Sequence, residues 1–220
     1  MLLSTKILTP AQQQLAQDLG LEVACESVLE VEYLGEKAEK ALAKSYDGWV
    51  FTSQRALEAM EGLLPVGDSG HAVAVVGPKT AARVREAGLK VVSEGTNAAD
   101  LAGKVLALGW QRIAFFCGEV HREELPEALR AAGRQLDKYQ VYRTIQRPLK
   151  AEMAAFAAVL FFSPRGVEAA LYHQPWPEQA QAFAIGPTTA AAFEKHTGQQ
   201  ASFPSEPTVE ALLTFIADQQ

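Results

Sequence analysis

Short apolar runs alternate with segments of helical spacing along almost the whole chain. Near the N-terminus, Lys6–Thr9 reads as a short strand. Ala11, Leu15, Ala16 and Leu19 then share one face of a helix, and Gly20 stops it. Leu21–Ala24 reads as a second strand, and Val28–Leu34 as an extended segment with partly alternating apolar and acidic residues. From about residue 37 the alternation is regular. Strands over Gly48–Thr52, Ala72–Val76, Lys90–Ser93 and Arg112–Phe116 are interleaved with helices. The helices cover Arg55–Leu64 (ended by Pro65), Lys79–Ala87 (stopped by Gly88), Asn97–Leu108 and Glu123–Ala132 (stopped by Gly133). Asn97 and Asp100 have capping-box spacing. Gln135–Thr144 runs extended, and Arg147-Pro148 marks a boundary. Beyond it the pattern predicts helix 149–157, strand 158–162, helix 165–172, strand 182–185, helix 188–196 and a last helix near 208–218.

Such alternation implies parallel sheets covered by helices on both faces, an α/β fold. The chain also repeats itself. FTSQRALEAM at 51–60 and FFSPRGVEAA at 161–170 share five of ten residues, including Ser53/Ser163 and Arg55/Arg165. VGPKTAARV at 76–84 and IGPTTAAAF at 185–193 follow at nearly the same separation. Two copies are too few for a solenoid. They predict two similar lobes whose matching loops face a cleft between them. The second copy lacks a full set of strands, which the N-terminal segment supplies. The expected division is a discontinuous lobe, 1–34 plus 149–220, and a continuous lobe, 36–141. A two-stranded linker, near 33–36 and 142–148, joins them.

Composition narrows the function. At 48% hydrophobic, 21% charged and 8% aromatic, the 220 residues suffice for packed cores. The net charge of −6 argues against a nucleic-acid or anionic-membrane binder. The longest apolar run, Met153–Phe162, is too short to span a bilayer, and the first residues lack a signal-peptide core. A cytoplasmic protein is expected. Cys25 and Cys117 have no metal-ligand spacing and read as buried reduced thiols, and the four histidines are scattered, so no metal site is expected.

Candidate chemistry lies at the repeated corners. In open parallel sheets, ligands bind beyond the carboxyl ends of the strands, where helix N-termini point. Ser53, Ser163-Pro164, Gly77-Pro78-Lys79-Thr80 and Gly186-Pro187-Thr188-Thr189 all occupy such places. Helix-start N–H groups attract carboxylates or phosphates. Each corner taken alone is ordinary capping, and it is their recurrence that points to a ligand. Arg55, Lys79, Arg122, Arg143 and Arg165 can supply positive charge. Tyr142, in the linker, is the candidate acid. No phosphate loop, dinucleotide fingerprint, nucleophile elbow or zinc helix motif is present.

These segments resemble the uroporphyrinogen-III synthase family over nearly the whole chain. The matching stretches are VFTSQRALEA, VVGPKTA, FFCGEVHREELPEALRAAG running into VYRT, LFFSPRGVEAAL and FAIGPTTAAAF. The resemblance implies a two-lobe α/β enzyme, without metal or organic cofactor. It cyclises hydroxymethylbilane with loss of water, inverting the last pyrrole ring through a spiro intermediate. The substrate carries eight carboxylates, so much of the task is orientation. By resemblance Tyr142 assists departure of the hydroxyl group, and Ser53, Thr80, Gly118, Ser163, Thr188 and Thr189 contact substrate. Arg55 and Arg165 join them through the repeat. The implied partner is that small molecule alone, bound by a monomer. Many members begin with a strand ending in Thr-Arg-Pro, whereas here Thr9-Pro10 has no Arg. The alternatives are a non-catalytic two-lobe tetrapyrrole or polyanion binder of the same fold, disfavoured by Tyr142 and the four corners, and a periplasmic-type binding protein.

Overall fold

Buried strands dominate both halves of the molecule. The structure, a computed structural model, describes residues 1–64 and 70–219. In chain order the elements are β1 (Leu2–Ser4), α1 (Pro10–Asp18), β2 (Val23–Cys25), β3 (Leu29–Tyr33), α2 (Gly35–Leu42), β4 (Gly48–Phe51) and α3 (Gln54–Glu58). Next come β5 (Ala72–Val76), α4 (Pro78–Glu86), β6 (Lys90–Gly95), α5 (Ala98–Ala107), β7 (Arg112–Gly118), α6 (Glu124–Ala131) and β8 (Gln135–Gln146). The chain ends with β9 (Ala158–Phe161), α7 (Pro164–His173), β10 (Gln181–Ala184), α8 (Pro187–Thr197) and α9 (Val209–Ala217). Two compact units result: Met1–Glu30 with Ile145–Gln220, and Val31–Thr144.

The first unit holds a four-stranded sheet in the order β10-β9-β1-β2, all parallel. One face, with Leu3, Val159, Phe161 and Ala184, packs on Val167, Ala170 and Phe193 of α7 and α8. The other, with Leu2, Leu160 and Phe183, packs on Ala16 of α1 and Leu212, Leu213 and Ile216 of α9. The second sheet runs β3-β8-β7-β4-β5-β6. Its β4, β5, β6, β7 and β8 are parallel. Leu34 N donates to Val141 O, and Arg147 N to Val28 O, so β3 runs antiparallel to β8. Trp49, Phe51, Val75 and Phe116 face α2, α3 and α4, whereas Val50, Ala74, Phe115 and Cys117 face α5 and α6. Strands buried on both faces must be apolar at consecutive positions, which is why β4 and β9 read as unbroken apolar runs.

Most predicted elements form within a residue or two of expectation. Four differ. The first strand is Leu2–Ser4, not Lys6–Thr9. It lies between β2 and β9 with all three of its residues buried, and Lys6 cannot occupy such a place. Leu21–Ala24 shifts to Val23–Cys25 in register with it. The helix expected over 149–157 is a single 3₁₀ turn, Met153–Ala155. Leu149, Met153 and Phe156 do share a buried face, as helical spacing requires. Their backbone, however, is satisfied by side chains. Glu26 accepts from Lys150 N (2.6 Å) and Ala151 N (3.1 Å), and Gln174 accepts from Met153 N (2.9 Å). The helix expected to reach Leu64 ends at Glu58, and Pro65 lies outside the described residues. The sequence pattern also missed α2, whose Ala38 and Ala41 are fully buried.

Phe116 organises one core face. It stacks on Phe51 at 4.9 Å and meets Trp49 at 5.5 Å and Tyr139 at 5.7 Å. Phe116→Ala should therefore cost about 3–5 kcal/mol, read as a lowered urea midpoint of unfolding. A loss under about 1 kcal/mol would show that this aromatic layer is not the organising contact.

Candidate active site

A cavity of about 390 Å³ opens at the carboxyl end of the six-stranded sheet, within the second unit. Most strands that reach it contribute their last residue or the corner after it. Thr52 and Ser53 follow β4, Val76 ends β5, Thr96 and Asn97 follow β6, and Gly118 ends β7. Tyr142 comes from the far half of β8.

Tyr142 reaches this cavity because β8 carries a bulge. Cys117 pairs with Gln140 and Gly118 with Tyr142, so Val141 is the extra residue. On a regular strand Tyr142 would face away from Tyr139 and Val141. The bulge re-aims it, and Tyr139, Val141 and Tyr142 all pack on the same core cluster. Its ring then lies directly on Gly118. A Cβ on that residue would stand 2.6 Å from the Tyr142 Cζ and 2.9 Å from its hydroxyl oxygen. Glu119 N donates to Tyr142 O at 3.0 Å and closes the pairing. The phenol hydroxyl has no hydrogen-bond partner among the described residues, so it is free to donate to a ligand.

Ser53 caps α3, accepting from Arg55 N at 3.3 Å, and keeps its own hydroxyl proton to donate. Arg55 is exposed and does not line the cavity; Arg122 does. The corner before α5 is occupied by the protein's own carboxylate. Asn97 accepts from Asp100 N (2.9 Å), and Asp100 accepts from Thr96 N (2.8 Å) and Lys104 (3.0 Å). The Thr96 N–H and the Lys104 ammonium hold the Asp100 carboxyl below the usual carboxylate range. The return bond of the expected capping box thus goes to Thr96 rather than Asn97. Thr80 stands in the first turn of α4, buried and outside the cavity lining.

The other candidate residues lie in the first unit. Ser163 caps α7, accepting from Gly166 N at 3.0 Å, and Arg165 is half-buried and engaged with its surroundings. Thr188 and Thr189 begin α8, the former exposed and the latter buried. Gly77 and Gly186 precede α4 and α8 with no side-chain cap, which leaves first-turn N–H groups to a ligand. The two glycines serve different ends. Gly77 has φ +82°, which favours glycine, whereas Gly186 is extended and sits where a Cβ would press within 3.3 Å of Pro207.

Three sequence readings are corrected. Thr9-Pro10 does not end the first strand; it opens α1 through a capping box with Gln12. The cation after β1 is Lys6, which lies 5.6 Å over the Phe162 ring. Arg143 is not an available cation, because it pairs with Glu32 across the β3–β8 ladder. His121, read as scattered, lines the cavity. Nothing in its spacing marked it, since its partners come from β7, β8 and the start of α6. Cys117 is buried, and burial pushes its thiol up to about 12, so it offers no nucleophile. Among the described residues no group of three or more His, Cys, Asp or Glu could hold a metal ion.

The family model described as uroporphyrinogen-III synthase HemD matches residues 11–214. Comparison with curated protein sequences gave no match. Among solved structures, uroporphyrinogen-III synthetase from Helicobacter pylori is similar at 16% identity with a TM-score of 0.65, covering 100% of this chain and 99% of that one. A mutant uroporphyrinogen III synthase from the extremely thermophilic bacterium Thermus thermophilus is similar at 21% identity with a TM-score of 0.58, covering 99% and 98%. At such identities these two likenesses show the shared fold.

The close approach at Gly118 makes a prediction. Gly118→Ala should fold, at a cost of about 1–3 kcal/mol for overpacking, and should push the Tyr142 ring off its seat. A crystal structure of the variant checks this, and an unmoved ring would show that Gly118 is not what admits it.

Proposed function

The chain belongs to the uroporphyrinogen-III synthase family, and we propose that Tyr142 and the helix-start corners perform the family's reaction in the roles set out below. Uroporphyrinogen-III synthases are lyases of tetrapyrrole biosynthesis. They close hydroxymethylbilane into uroporphyrinogen III, with inversion of ring D and loss of water. The protein's function is this cyclisation.

In our reading the substrate's carboxylates take the first-turn N–H groups of α4, the Ser53 hydroxyl and Arg122, all within the second unit. Such contacts orient a flexible chain, and orientation is a large part of the rate of an intramolecular closure. Tyr142 gives a proton to the departing hydroxyl group, which leaves as water. A phenol is protonated at neutral pH and can donate. The observation that carries this reading is the unpartnered Tyr142 hydroxyl in the cavity at the strand ends. We also propose a cytoplasmic monomer as the working form. Among the described residues no helix is long and apolar enough to cross a membrane.

The purified chain should convert hydroxymethylbilane to the type III isomer, resolved chromatographically from spontaneous type I product. Type I alone would refute the activity. Tyr142→Phe should keep the fold and KM while lowering kcat about 10²-fold, the lower part of the range for general acid assistance. A wild-type rate would leave orientation as the whole of catalysis.

A further inference from the structure

The segment joining β7 to α6 is held by the bond from Glu119 N to Tyr142 O, at 3.0 Å, and by one imidazole. His121 Nδ1 lies 2.9 Å from Gly118 O. A carbonyl oxygen only accepts, so Nδ1 carries the hydrogen of this bond. On the other side of the ring, Nε2 has Glu123 Oε1 at 2.8 Å and Lys138 Nζ at 3.2 Å. Lys138 and Glu123 bond each other at 2.9 Å, and Arg130 stands 3.7 Å from Glu123. The charged ring donates from Nε2 to Glu123. The neutral ring accepts there from Lys138. Both forms leave Nδ1–H on the Gly118 carbonyl. Phe115 meets the imidazole edge-on at 5.8 Å, and only 12% of the His121 side chain is exposed.

Two features make this bond consequential. Gly118 is the residue on which the Tyr142 ring rests, so the orientation of its peptide sets where the phenol sits. Lys138 belongs to β8, the strand that carries Tyr142. The imidazole thus ties the end of β7 to the adjoining strand just before the bulge. Its neighbour Val120 is 75% exposed and offers the segment little packing of its own.

We infer that His121 is a positioning residue, which fixes the Gly118 peptide through Nδ1 and acts on catalysis only by seating the Tyr142 ring. The inference rests on the reading of Tyr142 as the proton donor. Misplacing a reacting group by about 1 Å can cost up to about 10²-fold in rate. Loss of one strut from a packed seat should cost less, about tenfold.

The test is steady-state kinetics with hydroxymethylbilane on the full chain, using His121→Ala, His121→Asn and His121→Gln, with and without Tyr142→Phe. Asparagine places an amide N–H where Nδ1–H stands. Glutamine reaches toward the Nε2 position and loses the Gly118 bond. His121→Ala and His121→Gln should lower kcat about tenfold with KM within about twofold, and His121→Asn should recover most of the rate. In the Tyr142→Phe background, His121→Ala should change kcat less than about twofold, because coupled residues are not additive. If His121→Ala does not fold, the contrast between the asparagine and glutamine variants decides.

Any of five results overturns the inference. Unchanged kcat in His121→Ala, or in His121→Gln where the alanine protein does not fold, removes the role. A raised KM at unchanged kcat makes His121 a substrate-binding residue. An asparagine variant no faster than the glutamine one shows that the Nδ1 bond is not the device. A full tenfold loss persisting in Tyr142→Phe shows action independent of the phenol. A Tyr142→Phe protein at the wild-type rate removes the reading of Tyr142 and this inference with it. A slow Tyr142→Phe beside a wild-type His121→Ala removes this inference alone.

Discussion

Burial of parallel strands on both faces is the constraint from which the rest follows. Strands such as β4 and β9 have every residue buried, so their polar backbone groups must be used up within the sheet. Parallel pairing then sends each connection over a covering helix, and all carboxyl ends emerge on one side. Hydroxyls, glycines and unpaired first-turn N–H groups collect there because the buried interior excludes them. The cavity in the second unit is this end of the sheet, lined by Ser53, Thr96, Gly118 and Tyr142.

Within that frame the placement of Tyr142 depends on a local irregularity. A regular β8 would turn Tyr142 away from the cluster that holds Val141. The single extra residue in the pairing reverses this, and the missing side chain at Gly118 leaves room for the ring. Two small departures from the ideal strand thus put an unpartnered phenol at the carboxyl end of the sheet. The proton donor proposed above for loss of water from the substrate owes its place to these two departures.

The internal repeat carries less identity of function than its letters suggest. Ser53 and Ser163 are both helix caps, yet α3 has five residues and α7 has ten. Gly77 is required by its dihedral angle, whereas Gly186 is hemmed in by Pro207. Arg55 is exposed and Arg165 half-buried. The paired motif therefore marks equivalent places in two units, and each place has been fitted separately. Charge is fitted likewise. Arg143 is paired with Glu32, and Asp100 occupies the N-terminus of α5, so among the described residues the cation left for a carboxylated ligand in the cavity is Arg122.

The α/β class, nearly every strand and helix, the caps at Ser53, Asn97 and Ser163 and the family itself were legible in the sequence. These depend on apolar periodicity, turn chemistry and ordered motifs, which are local properties. The errors share a non-local cause. Leu2–Ser4 is a strand because β2 and β9 flank it, and residues 149–157 fail as a helix because Glu26 and Gln174 satisfy their backbone. Tyr142 could be named from its motif, but its aim follows from a bulge that exists only in the pairing with β7. His121 could not be found at all, since its partners Gly118, Glu123 and Lys138 come together only when β7, β8 and α6 are packed. Side-chain periodicity reports which face a residue occupies. Which groups meet at the end of a sheet is set by register, and register belongs to the tertiary structure.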